Sequence, residues 1–123
     1  MNKGQVLEDK VYQDLKQRGF YQEVAENVLF NDKKGCGREI DEIAIHHSTK
    51  TKNYILIVEC KLSDRRTKAV KQLIYAREYA RRKYPNSRVF CFYAHNWKPC
   101  TKEYTMEWIT SEELNREKSR HSI

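Results

Sequence analysis

Apolar positions recur along the chain with two periods. Over residues 5–18, Leu7, Val11 and Leu15 return every four positions, the single stripe of an amphipathic helix. Gly19 follows where a helix would end. Residues 20–30 mix aromatic and β-branched types and predict a strand. NDKKGCGR (31–38), with two glycines and several basic residues, predicts a loop. EIDEIAIH (39–46) and YILIVECK (54–61) predict two further strands, and the short polar link STKTKN favours an antiparallel hairpin between them. Residues 67–84 contain no Gly or Pro and carry Ala69, Val70, Leu73, Ala76 and Ala80 on one face, a long helix broken by Pro85-Asn86. RVFCFYA (88–94) predicts a fourth strand, parallel to the third because a helix crosses over between them. YTMEWI (104–109) predicts a fifth. Thr110-Ser111-Glu112-Glu113 has the form of a capping box and opens a short final helix, with NREKSRHSI expected to fray. The order α-β-β-β-α-β-β-α implies an α/β fold: a mixed five-stranded sheet flanked by helices. Its strands are apolar on both parities, as in a sheet covered on both faces.

The alternation that defines a strand also sorts its charges. Glu59 and Lys61 project to one face with Ile55 and Ile57 behind them, and on the neighbouring strand Asp41 shares a face with Ile43 and Ile45. An antiparallel hairpin sets the start of one strand beside the end of the other, so Asp41 and Glu59 converge with Lys61 next to them. Two adjacent carboxylates repel unless a cation sits between them. Hard oxygen ligands suit Mg²⁺ or Mn²⁺, which can hold a phosphate and lower the pKa of water. The amine can stabilise charge that grows on phosphate oxygens. A surface ion pair at a strand end is the plain alternative. Glu39 shares the parity of Asp41, whereas Glu42 points the other way and reads as structural. Arg65, Arg66, Lys68 and Lys71 follow the third strand where a nucleic-acid phosphate would pass. Arg77, Arg81, Arg82 and Lys83 read as a solvated helix face, and Trp97 as a loop anchor.

Composition narrows the setting. A length of 123 residues suits one domain, with a core over about 3–110 and the final helix and tail over 111–123. Twenty-four Lys and Arg against seventeen Asp and Glu give a net charge of +7, which favours polyanions or simply solubility. The four cysteines form no CxxC pair, so neither a zinc ribbon nor a redox motif is signalled. Cys60 and Cys91 read as core residues, and Cys91, His95 and Cys100 match no standard zinc spacing. No apolar run could span a membrane, and the charged N-terminal segment lacks an apolar h-region; an intracellular protein is expected.

GREIDEIAI, then YILIVECK, then a helix carrying KQLIYA, resembles the PD-(D/E)xK, or restriction-endonuclease-like, nuclease superfamily. The resemblance covers roughly residues 3–109 and is greatest to archaeal-type Holliday-junction resolvases, with small viral repair nucleases close behind. It implies an αβββαβ core and a Mg²⁺- or Mn²⁺-dependent endonuclease, acting as a homodimer on DNA that is branched, in recombination or repair. Asp41 and Glu59 would be metal ligands with the Cys60 carbonyl, and Lys61 the catalytic lysine. Glu8 would be the outer acid of the first helix and Gln72 the polar residue of the second. Arg38, Arg65, Arg66, Lys68 and Lys71 would contact nucleic acid. Two positions depart from the pattern: residue 40 is isoleucine where the motif has proline, and Gln72-x-x-Tyr75 is one residue shorter than the Gln-x-x-x-Tyr of one branch. A non-catalytic nucleic-acid-binding module of the same fold, or an RNA endonuclease, would carry the same residues.

Overall fold

Leu7, Val11 and Leu15 are buried where the first helix lies on the sheet, and that contact sets one layer of the fold. The computed structural model describes residues 3–62, 64–96, 103–121 and 123. Its elements are α1 (Lys3–Gln17), β1 (Glu23–Asn31), β2 (Gly37–His46), β3 (Asn53–Lys61), α2 (Arg66–Lys83), β4 (Ser87–His95), β5 (Thr105–Ile109) and α3 (Ser111–Arg120). The five strands form one sheet in the order β1-β2-β3-β4-β5. Only β3 and β4 pair in parallel, joined by the α2 crossover, and the other neighbours are antiparallel. The fold is thus α/β with a mixed sheet, and the expected strand directions hold.

Both faces of the sheet are covered. The α1 stripe packs on Ala44, Leu56, Val58, Cys60 and Ala94. On the opposite face α2 lays Ala69, Val70, Leu73, Ile74, Ala76 and Ala80 over Ile43, Ile45, Ile55, Ile57, Cys91 and Tyr93, with Leu114 of α3 alongside. Cys60 and Cys91 are core residues, one in each layer. Gly19 takes φ +68° just past α1, a conformation an L side chain resists, and its N–H reaches the Lys16 carbonyl at 3.3 Å. Thr110 caps α3 by accepting the Glu113 N–H at 3.2 Å. No helix among the described residues is long and apolar enough to cross a membrane.

Two expectations are corrected. The tail is not frayed from Asn115 onward: α3 continues to Arg120, tied to α2 by the Lys118–Glu78 ion pair. Arg77 is not solvated either. It is fully buried and donates from Nη2 to the Asn115 side chain at 2.9 Å. Both corrections come from α3 folding back over α2, a contact that helical periodicity does not encode.

A kink interrupts the β1–β2 ladder beside Asp41. Pairing runs from Glu23↔Ile45 to Asn31↔Gly37 with one missing step, between Glu26↔Glu42 and Val28↔Ile40, where Asn27 meets Asp41. Asn27 there adopts φ +54°, the left-handed region that Asn tolerates better than most residues. Side chains switch faces across the step. Val24 and Ala44 pack with α1, whereas Val28, Phe30 and Ile40 pack with α2. The strict alternation that placed Asp41 on one face with Ile43 and Ile45 therefore breaks at Asp41 itself.

Candidate functional site

Asp41 stands where the sheet opens. The β2–β3 ladder runs from His46↔Tyr54 to Glu42↔Val58 and goes no further, so the next residues, Asp41 and Glu59, border a slot. The Asp41 side chain bridges it: Oδ2 accepts the Cys60 N–H at 2.8 Å, replacing a missing ladder bond. The carboxylate is thereby fixed against the end of β3. Glu59, at 1 % exposure, lies against it and has one side-chain oxygen, Oε1, buried without a hydrogen-bond partner. Burial pushes Glu59 well above the ordinary carboxylate range, and the Asp41 charge pushes it the same way. Lys61, half-buried one position beyond Cys60, pulls it back down. The convergence expected of Asp41, Glu59 and Lys61 is present.

Glu8 joins from the other side. It projects from α1 toward the slot, and its pKa is raised to about 7 by burial and by the carboxylates of Asp41, Glu39 and Glu26. Gln72 of α2 approaches from the opposite layer. With Phe30, Gly37, Arg38, Glu39 and Asp41 it lines a cleft of about 290 Å³, and its Oε1 is buried and unbonded. The structure therefore brings Glu8, Asp41, Glu59, Lys61 and Gln72 to one end of the sheet from four elements.

Charges to which the sequence pattern assigns no chemistry also gather here. Glu42 is fully buried, with neither carboxyl oxygen bonded. Its pKa is raised to about 9, first by burial and then by Glu26, Glu8, Asp41 and Asp9, so it is neutral at pH 7. Glu26 faces it across the β1–β2 ladder. The sequence carried a signal for this pair, two acids inside otherwise apolar strands. Only the register shows them to be neighbours.

The basic residues divide into two groups. Arg66 is committed to the fold: Nε reaches Glu107 at 2.9 Å and Nη2 reaches Glu113 at 2.7 Å, binding α2 to β5 and α3. It forms a structural tie at a position where a phosphate contact is expected. Arg65 and Lys68 are exposed and Lys71 is partly exposed at the start of α2, as a nucleic-acid contact requires. Arg38 lines the cleft itself. His46, at the far end of β2 opposite Tyr54, is remote from the slot. His95 packs on Tyr93 with ring centroids 4.6 Å apart and faces Glu107 at 3.9 Å. Trp97 and Cys100 lie outside the described residues.

A mostly buried carboxylate pair is satisfied by a retained proton or by a cation. Among the described residues no three His, Cys, Asp or Glu side chains form a ready-made metal cage. Magnesium keeps several of its waters and takes only one or two carboxylates, so this sparse set of hard oxygens suits it. Asp41 and Glu59 could hold such an ion, with the Cys60 carbonyl beside them and Glu8 further out. The unbonded Glu59 Oε1 is the atom that fits this use best. Comparison with protein-family models, curated proteins and solved structures found no match to this chain.

Proposed function

We propose that the protein is a divalent-metal-dependent nuclease hydrolysing nucleic-acid phosphodiester bonds, with DNA the leading substrate, and that its fold is of the restriction-endonuclease-like kind. One observation carries the reading. The Asp41 carboxylate is anchored at 2.8 Å to the Cys60 N–H, against a buried Glu59 with a spare oxygen and with Lys61 next in line. Support comes also from the αβββαβ order of α1 to β4 and from the positive charge of the chain outside this acidic slot. A divalent cation held by Asp41 and Glu59 would supply positive charge for a phosphate oxygen and acidify water. Lys61 would stabilise the charge that develops on the phosphate, Gln72 would accept a hydrogen bond from water or substrate in the cleft, and Glu8, near neutrality, could hold or release a proton. Branched DNA and a homodimer belong to the same proposal, through the resemblance to junction resolvases.

The test is a panel of labelled duplex, single-stranded, flap and four-way-junction DNA, with matched RNA, in Mg²⁺ or Mn²⁺. Cleavage of at least one substrate is expected, falling at least about 100-fold in Asp41→Ala and Lys61→Ala while binding is largely kept. Full activity in either variant, or no cleavage of any substrate by the parent protein, overturns the reading.

A further inference from the structure

Arg38 is held more tightly than a surface arginine. Its Nε donates to Asp32 Oδ2 at 3.0 Å, and Asp32 is itself buried. The other Asp32 oxygen accepts the backbone N–H groups of Lys34 at 2.9 Å and Cys36 at 3.0 Å, which fold the β1–β2 turn. The guanidinium carbon lies 3.7 Å from the centroid of the Tyr75 ring on α2. The group is thus fixed along one edge by a carboxylate and across one face by an aromatic ring. Neither Nη atom makes a hydrogen bond among the described residues. That leaves the paired donors which, on a rigid guanidinium, match two oxygens of a phosphate.

Its location is equally specific. Arg38 lines the same cleft as Asp41 and Gln72, and also an adjoining open groove of about 480 Å³ that runs past Leu29 and Asn31. It stands three residues from Asp41 on one strand, about 10 Å along the chain. A group so placed in the same cleft is suited to the phosphate next to the one that a cation on Asp41 and Glu59 would hold. Lys33 and Lys34, exposed on the same turn, offset the Asp32 charge.

We propose that Arg38 is a preset clamp for a backbone phosphate flanking the one that a cation on Asp41 and Glu59 would hold, aligned by Asp32 and Tyr75 so that the strand runs from the slot into the groove. This rests on the nucleic-acid part of the proposed function and deepens it, since it fixes the direction in which the substrate leaves the site.

The test reads binding, so it does not depend on cleavage. Affinity of the Lys61→Ala protein for a fluorescent duplex and a four-way junction is measured across a salt series, alone and combined with Arg38→Gln, Arg38→Lys or Tyr75→Leu. Arg38→Gln is expected to weaken binding roughly tenfold and to lower the slope of log K against log salt by about 0.9, the loss of one phosphate contact. Arg38→Lys keeps the slope but loses several-fold in affinity, because charge remains without the fork. Tyr75→Leu, which leaves Arg38 and Asp32 intact, weakens binding through misalignment. Lys52→Gln, at the far hairpin, leaves the slope unchanged. An unchanged slope in Arg38→Gln, with the fold intact by circular dichroism, overturns the clamp whether or not the parent protein cleaves. Binding without cleavage by the parent sinks the nuclease reading and leaves the clamp to be judged by the slope. No nucleic-acid binding at all sinks both.

Discussion

Two charged regions lie at the same end of the sheet and are built in opposite ways. At the α2–β5–α3 corner, Arg66 meets Glu107 and Glu113, and opposite charges satisfy each other within 3 Å. At the slot, Glu8, Asp41, Glu59 and Glu42 crowd together, three of them with raised pKa values and two with buried oxygens left unbonded. The first arrangement stabilises the fold and asks for nothing further. The second costs stability in the protein alone, and such a cost is commonly kept where a site must bind or react. In the sequence Arg66 reads as a phosphate contact, and only the fold pairs it with Glu107 and Glu113.

Neutralising a residue in each region should then move stability in opposite directions. Asp41→Asn keeps an acceptor for the Cys60 N–H but removes a charge from beside Glu8 and Glu59. Thermal unfolding without metal should show a gain of about 1 kcal/mol, the worth of roughly one pKa unit of repulsion, together with loss of cleavage. A fall in stability would mean that the carboxylates do not repel. Arg66→Ala should lose about 1 kcal/mol, a modest figure because the guanidinium is only half-buried. Nucleic-acid affinity should stay within about twofold, since Arg66 is already engaged by two glutamates. A large drop in affinity with unchanged stability would restore it to the nucleic-acid surface.

Glu42 sharpens the contrast through pH. Its pKa is raised from 4.5 to about 9 in the folded protein, so below 4.5 folded and unfolded states are both protonated and it costs nothing. As pH rises through the window from 4.5 to 9, the unfolded chain releases the proton while the folded one retains it, and stability falls. Urea unfolding at pH 5, 7 and 9 should give Glu42→Gln a stability advantage that grows with pH. Parallel curves for parent and variant would show that Glu42 is solvated and ionised.

The fold was largely legible because its signals are local. The four-residue stripe of α1, the Gly- and Pro-free α2, the Thr110 cap and the short β2–β3 link each act over a few residues. The site was legible in part. Asp41, Glu59 and Lys61 could be brought together by hairpin geometry alone. Arg66 could not be told from Arg65, because its glutamates lie 41 and 47 residues away. Glu42 read as structural because Glu26, which faces it, meets it only through the β1–β2 register.

What the sequence determined by itself is the order of elements, the relative directions of β2, β3 and β4 and the chemical types at the slot. These depend on periodicity and turn chemistry, which neighbouring residues settle among themselves. Tertiary structure decided which charges are satisfied. The left-handed step at Asn27 turns the β1–β2 ladder over beside Asp41, α3 folds back to bury Arg77, and Tyr75 is brought beneath Arg38. Burial and long-range contact set the electrostatic state of each group, so the same Arg77 reads as solvated in the sequence and is buried in the fold.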